Sequence, residues 1–184
     1  MTSRTKAKLY KKYPISSILI YNGVTVVHFL LGGWGLWSGY GFTDLALAFS
    51  ISYMVFAFVE MYVLMPLVVC PRCPYVKMED SVCISGLNLV SKRITQSGDI
   101  KEFAKRGEGL FCPNNLYIAS LAVPIMALIP ALILDFSFFT LLILVGLISL
   151  LIFRFFVIFP KISCVHCYAK FKCPQAGAMG VREL

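Results

Sequence analysis

The stretch Phe136–Pro160, FSFFTLLILVGLISLLIFRFFVIFP, holds 25 residues and a single charge, Arg154. A helix needs about 20 mostly apolar residues to cross a hydrocarbon core about 30 Å thick. Nothing else in the chain's repertoire would satisfy its backbone there. Working outward, three more stretches read the same way: Pro14–Trp37, Asp44–Val69 and Leu116–Leu134. The third is the shortest and carries Pro124 and Pro130, which predicts a kink. Only Leu134-Asp135-Phe136-Ser137 separates the last two spans, so they form a tight antiparallel hairpin. The first span is too long for the apolar region of a cleavable signal peptide, and no A-x-A-like site closes it. The expected fold is an all-α integral membrane protein with four transmembrane helices.

Composition agrees. Of 184 residues, 59% are hydrophobic and 14% charged, against about 45–50% and about 25% in soluble domains. Mean hydropathy is +0.80. A water-soluble globule this small leaves too much of its surface exposed to hide so much apolar area. Disordered, collagen-like and secreted disulfide-scaffold classes are excluded on the same composition.

Basic residues set the expected orientation. Arg4, Lys6, Lys8, Lys11 and Lys12 lie in segment 1–13, seven more lie in 70–115, and four lie in 161–184. The opposite turns, Ser38–Thr43 and the one around Asp135, have none. The positive-inside bias therefore predicts that both termini and the long loop are cytoplasmic, with a prokaryotic plasma membrane as the expected location. The resulting division is a basic cytoplasmic tail (1–13), a first transmembrane hairpin (14–69), a Cys-rich cytoplasmic loop (70–115), a second hairpin (116–160) and a Cys-rich cytoplasmic tail (161–184). The net charge of +8 follows from this bias and suits anionic headgroups. No nucleic-acid-binding motif accompanies it. Expected partners are the lipid bilayer and other membrane or cytoplasmic subunits, not nucleic acid.

Seven cysteines fall outside the spans, all on the basic side: Cys70, Cys73, Cys83, Cys112, Cys164, Cys167 and Cys173. In a reducing compartment, clustered cysteines more often ligate metal or do redox work than form structural disulfides. Cys70-Pro-Arg-Cys73 and Cys164-Val-His-Cys167 are both C-x2-C, a turn that aims two sulfurs at one ion. The membrane holds helix ends near each other and so offsets the loop-closure cost of pairing these distant knuckles. One expected arrangement is a four-cysteine site from the two pairs, with Cys83, Cys112, Cys173 and His166 available for a second. Other partitions of the ligands are equally compatible. Zinc suits closed tetrahedral sulfur sites. Iron–sulfur ligation is favoured by the proline after Cys70, Cys73, Cys112 and Cys173, since Cys-Pro is characteristic of ferredoxin-type runs. The sequence therefore predicts a cytoplasmic Cys-rich metal-binding layer holding zinc or an iron–sulfur cluster.

The loop itself carries two weaker signals. Ile84, Leu87, Val90 and Ile94 recur at helical spacing and predict a helix on the membrane surface. Asp99–Arg106 reads as a short capped helix ended by Gly107. Apart from the C-x2-C that closes each hairpin, no internal repeat stands out.

Inside the spans, His28, Glu60 and Arg154 are ionisable groups at membrane depth, where such groups mark a site, a pathway or a buried pair. A quinone, proton or ion site lined by Glu60, His28 and Tyr53 is one reading. An Arg154–Glu60 salt bridge with a histidine bonded to a carbonyl is the other.

The leading functional expectation is an accessory or electron-relay subunit of a membrane complex. The alternative is a membrane thiol-disulfide oxidoreductase using the C-x2-C pairs. Four spans with C-x2-C also resemble membrane thiol oxidoreductases of the disulfide-generating and vitamin-K-reductase types. Their reactive pairs face the oxidising side, whereas these follow the basic side, so the chain is not placed in that family. A membrane-impermeant thiol reagent added to intact cells should leave all seven cysteines unmodified. Labelling of Cys112 or Cys173 from outside would reverse the orientation.

Overall fold

The computed structural model describes residues 7–107 and 112–182. Its helices, in chain order, are α1 (Ile15–Gly39), α2 (Asp44–Val59), α3 (Pro74–Lys77), α4 (Leu87–Ile94), α5 (Pro113–Leu134), α6 (Phe138–Phe153) and α7 (Pro174–Ala178). Among the described residues there is no strand, only one isolated parallel bridge between Lys12 and Val82. Four helical segments are long and apolar enough to cross a membrane: Ile15–Gly39, Asp44–Arg72, Pro113–Leu134 and Phe138–His166. The second and fourth run past the expected boundaries, because helical turns continue through Cys70–Arg72 and Cys164–His166.

α1 and α5 pack against each other and against both α2 and α6. Lipid tails give apolar side chains no reason to leave the surface, so close packing of small residues has to hold such a bundle. Buried Gly32, Gly33 and Gly35 of α1 supply it. A Cβ on Gly32 would stand 2.9 Å from the Tyr53 hydroxyl and 3.0 Å from Pro124 Cβ, and one on Gly35 2.8 Å from Ile143.

The proline pair does not interrupt α5, which runs through Pro124 and Pro130 to Leu134. Pro124 has no N–H for the carbonyl of Ser120, four residues earlier. The Tyr53 hydroxyl donates to that carbonyl at 3.0 Å, and His28 Nε2 bonds the next one, Leu121 O, at 3.0 Å. Donors from neighbouring helices thus complete the ladder that proline opens, as a bilayer interior requires.

α2 and α6 each widen into a π-helical stretch, Glu60–Val69 and Arg154–Ser163. Each stretch starts where one backbone N–H is shared between two carbonyls: Glu60 with Phe56 and Ala57, Arg154 with Leu150 and Leu151. The two stretches match in detail. From the ionisable residue, proline follows six residues on (Pro66, Pro160), the first cysteine ten on (Cys70, Cys164) and the second thirteen on (Cys73, Cys167). The last part of the second span and the last part of the fourth therefore share one spacing, which extends beyond C-x2-C to the proline and the ionisable residue.

The connecting layer is short-range structure. α4 forms as the periodicity predicts, but it turns Leu87, Asn88 and Ser91 inward and leaves Val90 and Ile94 exposed. Ile100–Gly107 is a 3₁₀ helix rather than an α-helix, and Asp99 Oδ1 accepts from Lys101 N at 2.9 Å.

Gly32→Val should lower bundle stability by about 1–3 kcal/mol, since Tyr53 and Pro124 leave no room for the side chain. A reduced unfolding midpoint in detergent checks this; an unchanged midpoint would mean the α1–α5 seam is looser than described.

Candidate metal centre

Each C-x2-C knuckle is a single 3₁₀ turn closing a membrane helix. Cys73 N donates to Cys70 O at 3.0 Å and Cys167 N to Cys164 O at 3.2 Å. Backbone angles repeat as well: φ/ψ are −60/−36° at Cys70 and −65/−34° at Cys164, then −80/141° at Cys73 and −83/130° at Cys167. Such a turn presents both sulfurs on one side.

Both knuckles face one cavity of about 190 Å³, which is also lined by Cys83 from the loop and Cys173 from the tail. Six of the seven cysteines thus surround a common space. Tyr21, Met61, Tyr117 and Phe159 line it from the transmembrane helices, and Lys170 contributes to its wall. None of the seven cysteines is in a disulfide. Among the described residues, no three His, Cys, Asp or Glu side chains close tightly enough on one point to hold a metal ion.

Burial pushes the Cys73 thiol well above its usual range. The Tyr75 backbone N–H opposes this, and Cys167, Cys83 and Cys70 reinforce it. Burial likewise raises Tyr13 and Tyr75, with Cys167 adding to both.

Two expected ligands lie elsewhere. Cys112 is not in the cavity lining; its sulfur caps α5, accepting from Asn115 N at 3.4 Å. His166 also lies outside the lining. Its Nδ1 bonds Lys8 O at 2.7 Å and its ring stacks on Tyr10 at 4.4 Å between centroids.

Those contacts expose a role for the N-terminal segment that its basic composition concealed. Tyr10 N donates to His166 O and Tyr13 N to Val82 O, each at 3.0 Å. The Tyr75 hydroxyl donates to Tyr10 O at 2.7 Å, and the Tyr13 hydroxyl donates to Ser163 O at 2.5 Å, just before Cys164. The segment straps both knuckles together. Its only sequence signal is the tyrosine pair Tyr10 and Tyr13 beside the first span.

The intramembrane residues are not paired as expected. Arg154, 1% exposed, donates to the hydroxyls of Tyr117 and Thr25, the latter at 2.6 Å. Its guanidinium lies 5.5 Å from the Tyr21 ring centroid and 5.6 Å from that of Tyr117. Glu60 is fully buried, and neither carboxylate oxygen has a partner among the described residues. The Arg154–Glu60 salt bridge does not form because hydroxyls and aromatic faces already occupy the guanidinium. His28 and Tyr53 are held on α5 carbonyls, and no hydrogen bond or ion pair joins His28, Glu60 and Arg154 to one another.

The fold defines the class: an integral membrane protein of four apolar helices. The chain matches no protein-family model, no curated protein and no solved structure.

Tyr13→Phe frees the buried Ser163 carbonyl and removes one tie to the second knuckle, a loss of about 1 kcal/mol. Cys164 and Cys167 should then react faster with a thiol reagent in solubilised protein. Equal rates in the parent and the variant would show that the strap does not hold the knuckle.

Proposed function

We propose that this protein is a membrane subunit carrying a cysteine-ligated metal centre, zinc or iron–sulfur, at the cytoplasmic membrane surface. It serves there as an accessory or electron-relay component of a membrane complex in a prokaryotic plasma membrane, with both termini inside. One observation carries the reading: two knuckles of the same backbone geometry, at the ends of the second and fourth spans, line one cavity together with Cys83 and Cys173. Independent thiols would have no reason to share a space.

The Cys-Pro steps at Cys70, Cys73 and Cys173 support ligation, because proline removes a competing donor beside the sulfur. In such a site the residues of this chain would orient thiolates and keep water from them, while the metal supplies the closed shell or the electron carrier. The exchange-enzyme reading asks for a depressed thiolate pKa in an electropositive, partly exposed setting. The case against it is number: six cysteines around one space exceed one exchange pair with its resolving pair.

Binding of the metal would itself be folding free energy for this small layer. Cys167→Ser should therefore lower metal content several-fold and open loop 70–107 to limited proteolysis, with the four spans still inserted. A parent protein without metal, unchanged proteolysis and a partner trapped as a mixed disulfide through Cys164 would replace this reading with the thiol enzyme.

A further inference from the structure

We infer that segment 82–98 is a re-entrant loop: it dips into the leaflet on the cysteine side, and the outer edge of α4 lies against lipid acyl chains. This inference is independent of what the cysteine cavity holds.

Three ties fix the path of the chain. At the start, Val82 is level with the residues before α1, since Val82 N donates to Lys11 O and Tyr13 N to Val82 O, each at 3.0 Å. Three residues on, Ser85 O accepts from Asn22 Nδ2 at 3.2 Å. The same Nδ2 donates to Ile18 O at 2.9 Å, so Ser85 stands level with the second turn of α1. At about 1.5 Å per residue, that is about 5–10 Å below Ile15. Ile15 and Leu19 are themselves 75% and 66% exposed, apolar side chains that belong in hydrocarbon rather than water. At the end, Gly98 N donates to Pro71 O at 3.0 Å, back at the exit of the second span. Between the low point and the exit runs α4, eight residues and about 12 Å long, enough to climb back obliquely.

Irregular backbone at membrane depth has to be satisfied within the protein, and two asparagines do this. Asn88, 1% exposed, accepts from Cys83 N through Oδ1 and donates to Ser81 O through Nδ2, both at 2.9 Å. Asn22 serves Ser85, and the Tyr62 hydroxyl steadies it from the second span by donating to its Oδ1 at 3.4 Å. Gly86 reverses the chain with a φ of +74°, its N–H donating to Cys83 O at 3.0 Å. Ile84 and Leu87 then pack into the transmembrane core with Tyr21, Met61 and Tyr117.

The other edge of α4 is apolar and uncovered. Leu89, Val90 and Ile94 are exposed to about the same degree as Val63 and Leu67 of the second span. Arg93, also exposed, stands near the upper end of the helix, where a guanidinium reaches headgroups. A helix that starts level with the second turn of α1 turns this edge to acyl chains.

The test uses the full chain in liposomes, with a nitroxide amino acid introduced by codon suppression in place of Val90 and every cysteine retained. Labels in place of Val63 and Gln96 give the lipid and water references. Dissolved oxygen concentrates in hydrocarbon and a charged nickel chelate in water, so spin relaxation by each reports the surroundings. At position 90, relaxation by oxygen should exceed that by the chelate several-fold, as at position 63, with the reverse at position 96. Asn22→Leu, which frees the Ser85 carbonyl, should raise chelate contact at position 90. A label at position 90 that behaves like the one at position 96 would place α4 in water and overturn the re-entry. Shielding from both reagents would put protein over this edge, such as a second copy of the chain, and overturn the lipid assignment. Unchanged chelate contact in Asn22→Leu would remove Asn22 as the tie that holds the loop down.

Discussion

Everything at the membrane surface depends on two helices that end at the same height and point the same way. Once short turns on the far side fix the up-and-down order, α2 and α6 must exit on the same face with equal remainders of chain. Ten residues separate Glu60 from Cys70, and ten separate Arg154 from Cys164. Equal register is what lets residues from opposite ends of the sequence line one cavity. In water, bringing them together would carry a loop-closure cost; here insertion has already restricted the ends to one plane.

The same low dielectric governs the interior. Each polar group at depth is either satisfied across a helix interface or exceptional. Tyr53 and His28 serve the carbonyls around the proline step of α5, and Thr25 and Tyr117 serve Arg154. Gly32 on α1 leaves room for the Tyr53 hydroxyl beside Pro124. Among the described residues the exceptions are the Trp37 indole N–H and Glu60, the latter buried with both oxygens unpartnered at the start of a π-helical stretch. Local π geometry often accompanies functional positions.

The spans were legible in the sequence because hydropathy over 20 residues is a cumulative signal that no single residue can obscure. The cysteine side was legible in part. C-x2-C spacing is local, so the knuckles could be read directly, whereas the roles of Cys112 and His166 are decided by long-range packing. Cys112 becomes a helix cap because proline follows it and a helix starts there; His166 is taken by Tyr10 and Lys8 of a tail more than 150 residues away in sequence. The longer shared spacing was hidden for a different reason. Glu60 and Arg154 stand at matching positions with opposite charge, and between them and the cysteines only Val63/Val157 and Pro66/Pro160 are identical.

That inversion of charge bears on assembly. Two copies of the first hairpin would bring two carboxyls into one small apolar bundle, and two copies of the second would bring two guanidiniums. A bundle made of one half from each kind carries one of each. Like charges in a low-dielectric core repel strongly, so the pattern selects unlike halves over like ones, as a specificity device between near-equivalent partners does. In this chain that leaves a guanidinium beside the Tyr21 and Tyr117 rings that line the cysteine cavity, and a carboxyl rather than a second guanidinium at the matching position of the other span.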